Sequence, residues 1–239
     1  MVTLVATACS SSPGTTATTV SRPSSTTTSA PTTTVAPLTG EPLQVTEQGV
    51  SAFPDPFDPT ASLGGYGVVL HNPNAEVMAT GVRVVTRVLD DAGTELLEDS
   101  ALINAVMPGE RMAVGRTLIE PIEGPTQLEV AVEVSEWLVP ADPRGRLVAE
   151  DVVTEPVEGG GSVTRFSVRS TWPSEEEGVD VTAVYRAADG RILGAESTTV
   201  ATVPAGQSVA AAIPLLSPIP DLATTEVFVG RGFAALTVG

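Results

Sequence analysis

The sequence predicts an all-β protein: two tandem antiparallel β-sandwiches after a disordered N-terminal linker. Three observations carry that expectation. Short runs of alternating apolar and polar residues recur, with turn residues between them about every ten positions. The order of turns and strands in the first half of the chain returns in the second half, 97 positions on. A Ser/Thr/Pro tract with almost no apolar side chains precedes both copies.

The chain begins with a segment that reads as an address. Cys9 is the one cysteine among 239 residues, so it cannot form an internal disulfide. The tract after it is too poor in apolar residues to bury a thiol. Cys9 follows Leu4-Val5-Ala6-Thr7-Ala8, an arrangement that resembles a bacterial lipobox. There the cysteine receives a lipid and becomes the first residue of the mature protein. The resemblance implies membrane attachment through a lipid on Cys9 and an extracytoplasmic place on the outer face of the cell membrane. Residues 1–9 are then a truncated lipoprotein signal segment, because only eight residues precede Cys9 and none is basic, whereas a signal peptide has a basic start and roughly 7–15 apolar residues. The other reading is an exposed thiol in a disordered terminus.

Residues 10–40 are expected to be linker. From Ser10 to Pro37 the chain is almost entirely Ser, Thr, Pro, Ala and Gly, with Arg22 its only charge. So few apolar side chains cannot offset the entropy of ordering the backbone. The composition resembles stalks that carry O-linked sugar. As an extended spacer it reaches on the order of 85 Å, and as a flexible coil about 30 Å.

Two copies of one domain, residues 41–139 and 146–239, are expected after the linker. Gly93 and Gly190 are 97 positions apart, as are Pro121 and Pro218, and Glu129-Val130 and Glu226-Val227. Pro108-Gly109 is expected to meet Pro204-Ala205 after a one-residue deletion. Within the first copy, Tyr66 to His71 and Val82 to Val88 read as strands, the second with Arg83 and Arg87 on one face and Val82, Val84 and Val88 on the other. A turn follows at Asp91-Ala92-Gly93. Leu128 to Val134 alternates, which buries Leu128, Val130, Val132 and Val134, and Trp137 is expected in the same core. Val163 to Val168 and Val227-Phe228-Val229 are the counterparts in the second copy. A hinge is expected at residues 139–145, where two prolines and a glycine interrupt pairing.

The order strand, Asn72-Pro73, strand, Asp-Ala-Gly turn, strand, Pro108-Gly109-Glu110, strand resembles the FxLYD-type immunoglobulin-like domains of bacterial envelope lipoproteins, here of an actinobacterial type, over Leu43 to Leu138. The resemblance implies an immunoglobulin-like fold and an extracytoplasmic setting, and it carries no catalytic residue. The second copy departs from the pattern, with Arg169 expected in place of the Asn.

Charge and inventory narrow the function. All 12 basic residues are Arg, against 29 acidic ones, a net charge of -17. Such a surface repels nucleic acid and anionic head groups. No stretch of about twenty apolar residues is present to span a bilayer. His71 is the single histidine, so neither a Cys-His pair nor an H-E-x-x-H zinc site can form, and it reads as a strand-end residue rather than a general base. No G-x-S-x-G elbow is present. Asn72 is expected to tie its turn by a side-chain hydrogen bond. Asp55 and Asp58, Asp90 and Asp91, and Glu175-Glu176-Glu177 with Asp180 are placed in loops as solvated charge, since none has calcium-loop spacing. Trp172 is expected to pack between the domains.

The chain is therefore expected to be a non-catalytic binding or spacer module of the cell envelope, with an envelope protein partner of unknown identity, no catalytic residue, no metal and no small-molecule cofactor. The alternatives are an envelope hydrolase using loop carboxylates and a calcium-binding adhesion module. A binder should expose an apolar patch or a free strand edge, and a spacer should have polar faces throughout.

Overall fold

The computed structural model of the protein describes residues 37–232, except 56, 57, 59–61, 119–123, 125, 126, 142–144, 159, 216 and 217. Cys9 and the linker up to Ala36 lie outside the described residues. No α-helix occurs among the described residues. The first copy supplies β1 (Gln44–Pro54), β2 (Ser62–His71), β3 (Met78–Leu89), β4 (Glu95–Val106), β5 (Arg111–Leu118) and β6 (Gln127–Leu138). The second supplies β7 (Leu147–Pro156), β8 (Ser162–Ser170), β9 (Glu176–Arg186), β10 (Ile192–Val203), β11 (Ser208–Leu215) and β12 (Thr224–Gly230).

Each copy is a sandwich of two antiparallel three-stranded sheets. In the first, β1-β2-β5 faces β4-β3-β6, and in the second β7-β8-β11 faces β10-β9-β12. The alternation read from the sequence sets which side chains are inside. On β3, Val82, Val84 and Val88 are buried while Arg83 and Arg87 are exposed. Val82 and Val84 meet Val68, Leu70, Ile103 and Met112 in the first core. On β6, Leu128, Val130, Val132 and Val134 face that core but stay half-buried. Trp137 reaches it from the opposite parity. Its partner across the ladder is Ala79, and between Ala79 and Val82 lies Gly81 at φ 57, a left-handed residue that turns the facing side over. Trp137 packs partly buried against the core, and a Cβ on Gly40 would lie 2.6 Å from its ring.

The structure sharpens the repeat and corrects its register. Left-handed residues recur at Gly81 and Gly178, Gly93 and Gly190, Gly109 and Gly206, and Gly124 and Asp221, each pair 97 positions apart. Gly109 thus matches Gly206, and no deletion falls at Pro204. The missing residue lies earlier, between β8 and β9. His71 sits opposite Arg111 and Arg169 opposite Ser208, so Ser170, not Arg169, stands where Asn72 stands. The backbone agrees: Asn72 N donates to the Glu110 carbonyl, and Ser170 N to the Gln207 carbonyl, both at 2.9 Å. Alternation alone could not place a one-residue gap inside a turn.

An aromatic residue also changes strands between the copies. In the first, Tyr66 on β2 packs against Val88 on β3. In the second, Thr164 on β8 faces Tyr185 on β9, with their hydroxyls 3.2 Å apart. Volume in the core is kept while its donor strand is exchanged.

The two sandwiches do not sit end to end. Sheet β1-β2-β5 lies against sheet β10-β9-β12, so that β10 crosses β1, β2 and β5. Val69 and Ala113 of the first copy join Val184, Ile192, Ala195 and Phe228 of the second in a separate core. Each fully buried side chain of the Val or Phe kind contributes about 1.5–3 kcal/mol. The backbones approach closely because glycines face one another. A Cβ on Gly65 would stand 2.5 Å from the Leu193 carbonyl oxygen and 3.0 Å from the Gly194 Cα. Strand β2 is therefore buried on both faces, which is why it lacks the alternation of a strand with one wet side. The described residues from Pro37 onward form one compact unit.

Candidate functional site

Polar groups fix the two sandwiches at the margins of this seam. Arg186, with only 11% of its side chain exposed, binds Glu47 of β1 at 2.6 Å and Glu226 of β12 at 2.9 Å. Arg111 of β5 reaches the same two carboxylates and stacks over Phe228, 5.3 Å from its ring centroid. Ser51 donates to the Leu193 carbonyl, and Thr117 to the Ala195 carbonyl at 3.3 Å.

A second cluster joins the copies close to the expected hinge at residues 139–145, of which 142–144 lie outside the described residues. Met78 and Met107 of the first copy lie in the core of the second, together with Trp172. Trp172 is buried, with the guanidinium of Arg231 4.1 Å from its ring centroid and Gly145 so close to the ring that a Cβ there would overlap it. Arg231 also donates two hydrogen bonds to Glu176, at 2.8 and 3.1 Å, and Glu176 is completely buried. Glu110, in the turn before β5, accepts the Met107 N–H at 2.7 Å. Burial pushes its carboxyl up to about 7, against the lowering influence of that N–H, Arg146 and Arg231.

Between β4–β5 of the first sandwich and β9–β10 of the second the surfaces part and leave a cleft of about 250 Å³. Its apolar side is Leu102, Ile103, Met112, Ala113 and Val114, and its polar side is Asp180, Thr182, Ser197, Thr198 and Thr199. Asn104 of β4 donates across the gap to Asp180 Oδ2 at 2.7 Å. Thr182 and Ser197 share a hydrogen bond at 2.9 Å. Burial pushes the Asp180 carboxyl up, and the Asn104 amide only partly offsets it. Leu102 is 65% exposed at the mouth.

The residues singled out from sequence disperse rather than converge. Cys9 lies outside the described residues. His71 ends β2, half-exposed, opposite Gln44 and Arg111. Asn72 is fully buried and ties its turn: its Nδ2 donates to the Val77 and Val106 carbonyls, and its Oδ1 accepts from the Asn74 N–H. Asp90 caps its own turn by accepting from Ala92 N and Thr94 N, and these hydrogen bonds hold its carboxyl below the usual range. Asp55 and Asp58 follow β1, separated by residues outside the description.

The expected loop at Glu175 to Asp180 is wrong. Glu176, Glu177 and Asp180 belong to β9: Val179, Val181 and Ala183 alternate into the second core, and Gly178 at φ 62 shifts the parity so that Glu176 is buried as well, its charge neutralised by Arg231. Its place on β9 brings Asp180 to the cleft. No local sequence pattern marks Arg231 or Asn104, since each acts on a partner 55 or 76 positions away. The described residues bring together no group of three His, Cys, Asp or Glu side chains.

No protein-family model matches the chain, and no curated protein matches it. Among solved structures, it is similar to the N-terminal CBM22-1-CBM22-2 tandem domain of Paenibacillus barcinonensis Xyn10C, at 10% identity over 80% of this chain and 86% of that one. The TM-score is 0.17, and a likeness of that size carries no inference about fold or ligand.

Proposed function

We propose that the chain is a lipid-anchored, extracytoplasmic protein of the cell envelope in which two fused sandwiches act as a non-catalytic module for binding or spacing. The observation that supports this most is the seam between the sandwiches. A glycine-lined contact with its own apolar core holds two immunoglobulin-like units as one body, suited to displaying a surface at a fixed geometry at the end of a stalk. The two outer sheet faces are laced with exposed ion pairs, Arg87–Glu98 and Arg165–Glu155 at 2.8 Å and Arg169–Glu150 at 2.7 Å. Such pairs add little stability, but they keep a face in water. Among the described residues that line the cleft, Asp180 is the only carboxylate. With an aliphatic wall facing hydroxyls and one carboxylate, the cleft supports a binding role.

Anchoring is tested by expressing the full chain in a bacterial host and separating detergent and aqueous phases. The parent is expected in the detergent phase, and Cys9→Ser in the aqueous phase. Equal partitioning of the two would remove the lipid from this reading.

A further inference from the structure

We propose that the cleft between the sandwiches is a binding site for a small organic cation, an alkylammonium whose charged head meets Asp180 and whose short apolar body lies on Ile103, Met112 and Val114. The proposal rests on reading the chain as a non-catalytic binding module, and it names the site and ligand class of that module.

Three features of the cleft select this chemistry. Asp180 is the only charged side chain among the described lining residues, and it accepts a hydrogen bond from a neutral amide, Asn104 Nδ2, at 2.7 Å. A half-desolvated carboxylate with so little compensation gains from a counter-charge, and a charge-assisted hydrogen bond is about twice as strong as a neutral one. Thr199 lies directly opposite Asp180 on the neighbouring strand, with Ser197 two residues back, so hydroxyl acceptors are in place for the remaining N–H groups of an ammonium. Among the described residues, the opposite wall is aliphatic and carries no aromatic ring. Sugars in sandwich proteins commonly stack on such a ring, and its absence from this wall favours a cation with an alkyl body. The charge of -17 attracts cations to the whole molecule.

The test is calorimetric titration of the full chain with n-butylammonium chloride, and with 1-butanol and methyl glucoside as neutral probes. Saturable binding of butylammonium on the order of millimolar is expected for so small a probe, weakening as salt is raised. Asp180→Asn should weaken it about tenfold or more. Thr199→Arg places a guanidinium at the exposed mouth without touching a core, and should weaken it comparably even if Asp180→Asn fails to fold. Equal affinity of the parent and Thr199→Arg, tighter binding of either neutral probe, or no saturation by butylammonium would overturn the proposal. These outcomes are separate from the phase partitioning of Cys9→Ser, so the anchored-module reading can survive the loss of the cleft ligand, or fail without it.

Discussion

Strands β3 and β9 present the same face of the same repeat, yet one face lies in water and the other against a neighbouring sheet. On β4-β3-β6 that face carries Arg83, Arg87, Glu98, Glu129 and Glu133, joined by ion pairs such as Arg87–Glu98 and Arg83–Glu133. The residues 97 positions on are Asp180, Val184, Ala195, Glu226 and Gly230. Two charges become apolar side chains, one becomes a glycine, one reverses sign at the cleft, and the last enters the network with Arg111 and Arg186. A handful of positions thus turns a solvated sheet face into a docking face without altering the strand pattern. The partner sheet meets it with glycines at 65, 67 and 115, where side chains would hold the backbones apart.

The largest contrast is expected at the matched pair Val184 and Arg87. Val184 is fully buried in the seam, so Val184→Asp should cost about 4 kcal/mol or more by placing an unpaired charge there. Arg87→Ala should leave stability nearly unchanged, because its ion pairs are half-exposed and screened by solvent. Chemical denaturation of both variants checks the pair, and similar losses would mean that the two faces are equally wet.

A smaller effect separates docked from solvated carboxylates by pH. Burial raises Glu110, Asp180 and Glu196, whereas Asp90 in its exposed turn is lowered. Between its ordinary value of 4.5 and about 7, folded Glu110 holds a proton that the unfolded chain has released. The folded state therefore binds more protons in that window. Stability falls as pH rises through it, by about 3 kcal/mol at most for this one group. Glu110→Gln keeps an acceptor for Met107 N–H and should flatten the decline. Denaturation midpoints at pH 5 and pH 7.5 measure it, and an unchanged slope in Glu110→Gln would assign the dependence elsewhere.

Much of this was legible from alternation and turns. Val82, Val84 and Val88 inside with Arg83 and Arg87 outside, and the glycine turns 97 positions apart, follow from strand geometry alone. The seam did not show, because its signal is weak: Gly64, Gly65 and Gly67 within β2 mark a close approach of backbones but not what approaches. The cleft was hidden for a different reason. Glu176 looks like solvated charge unless Arg231 is known to cover it, and only a strand that begins at Glu176 carries Asp180 toward Asn104. Contacts of that separation are decided by how the sheets cross, which no local pattern encodes.

The claim that the seam fuses two sandwiches into one body is tested most directly by scanning calorimetry of the full chain. One transition is predicted, with calorimetric and van't Hoff enthalpies equal, because each sandwich buries part of the other. Gly65→Val, which drives a side chain toward the Leu193 carbonyl, should split that transition into two. Two transitions in the parent would contradict the account, as would a single one that Gly65→Val leaves unchanged.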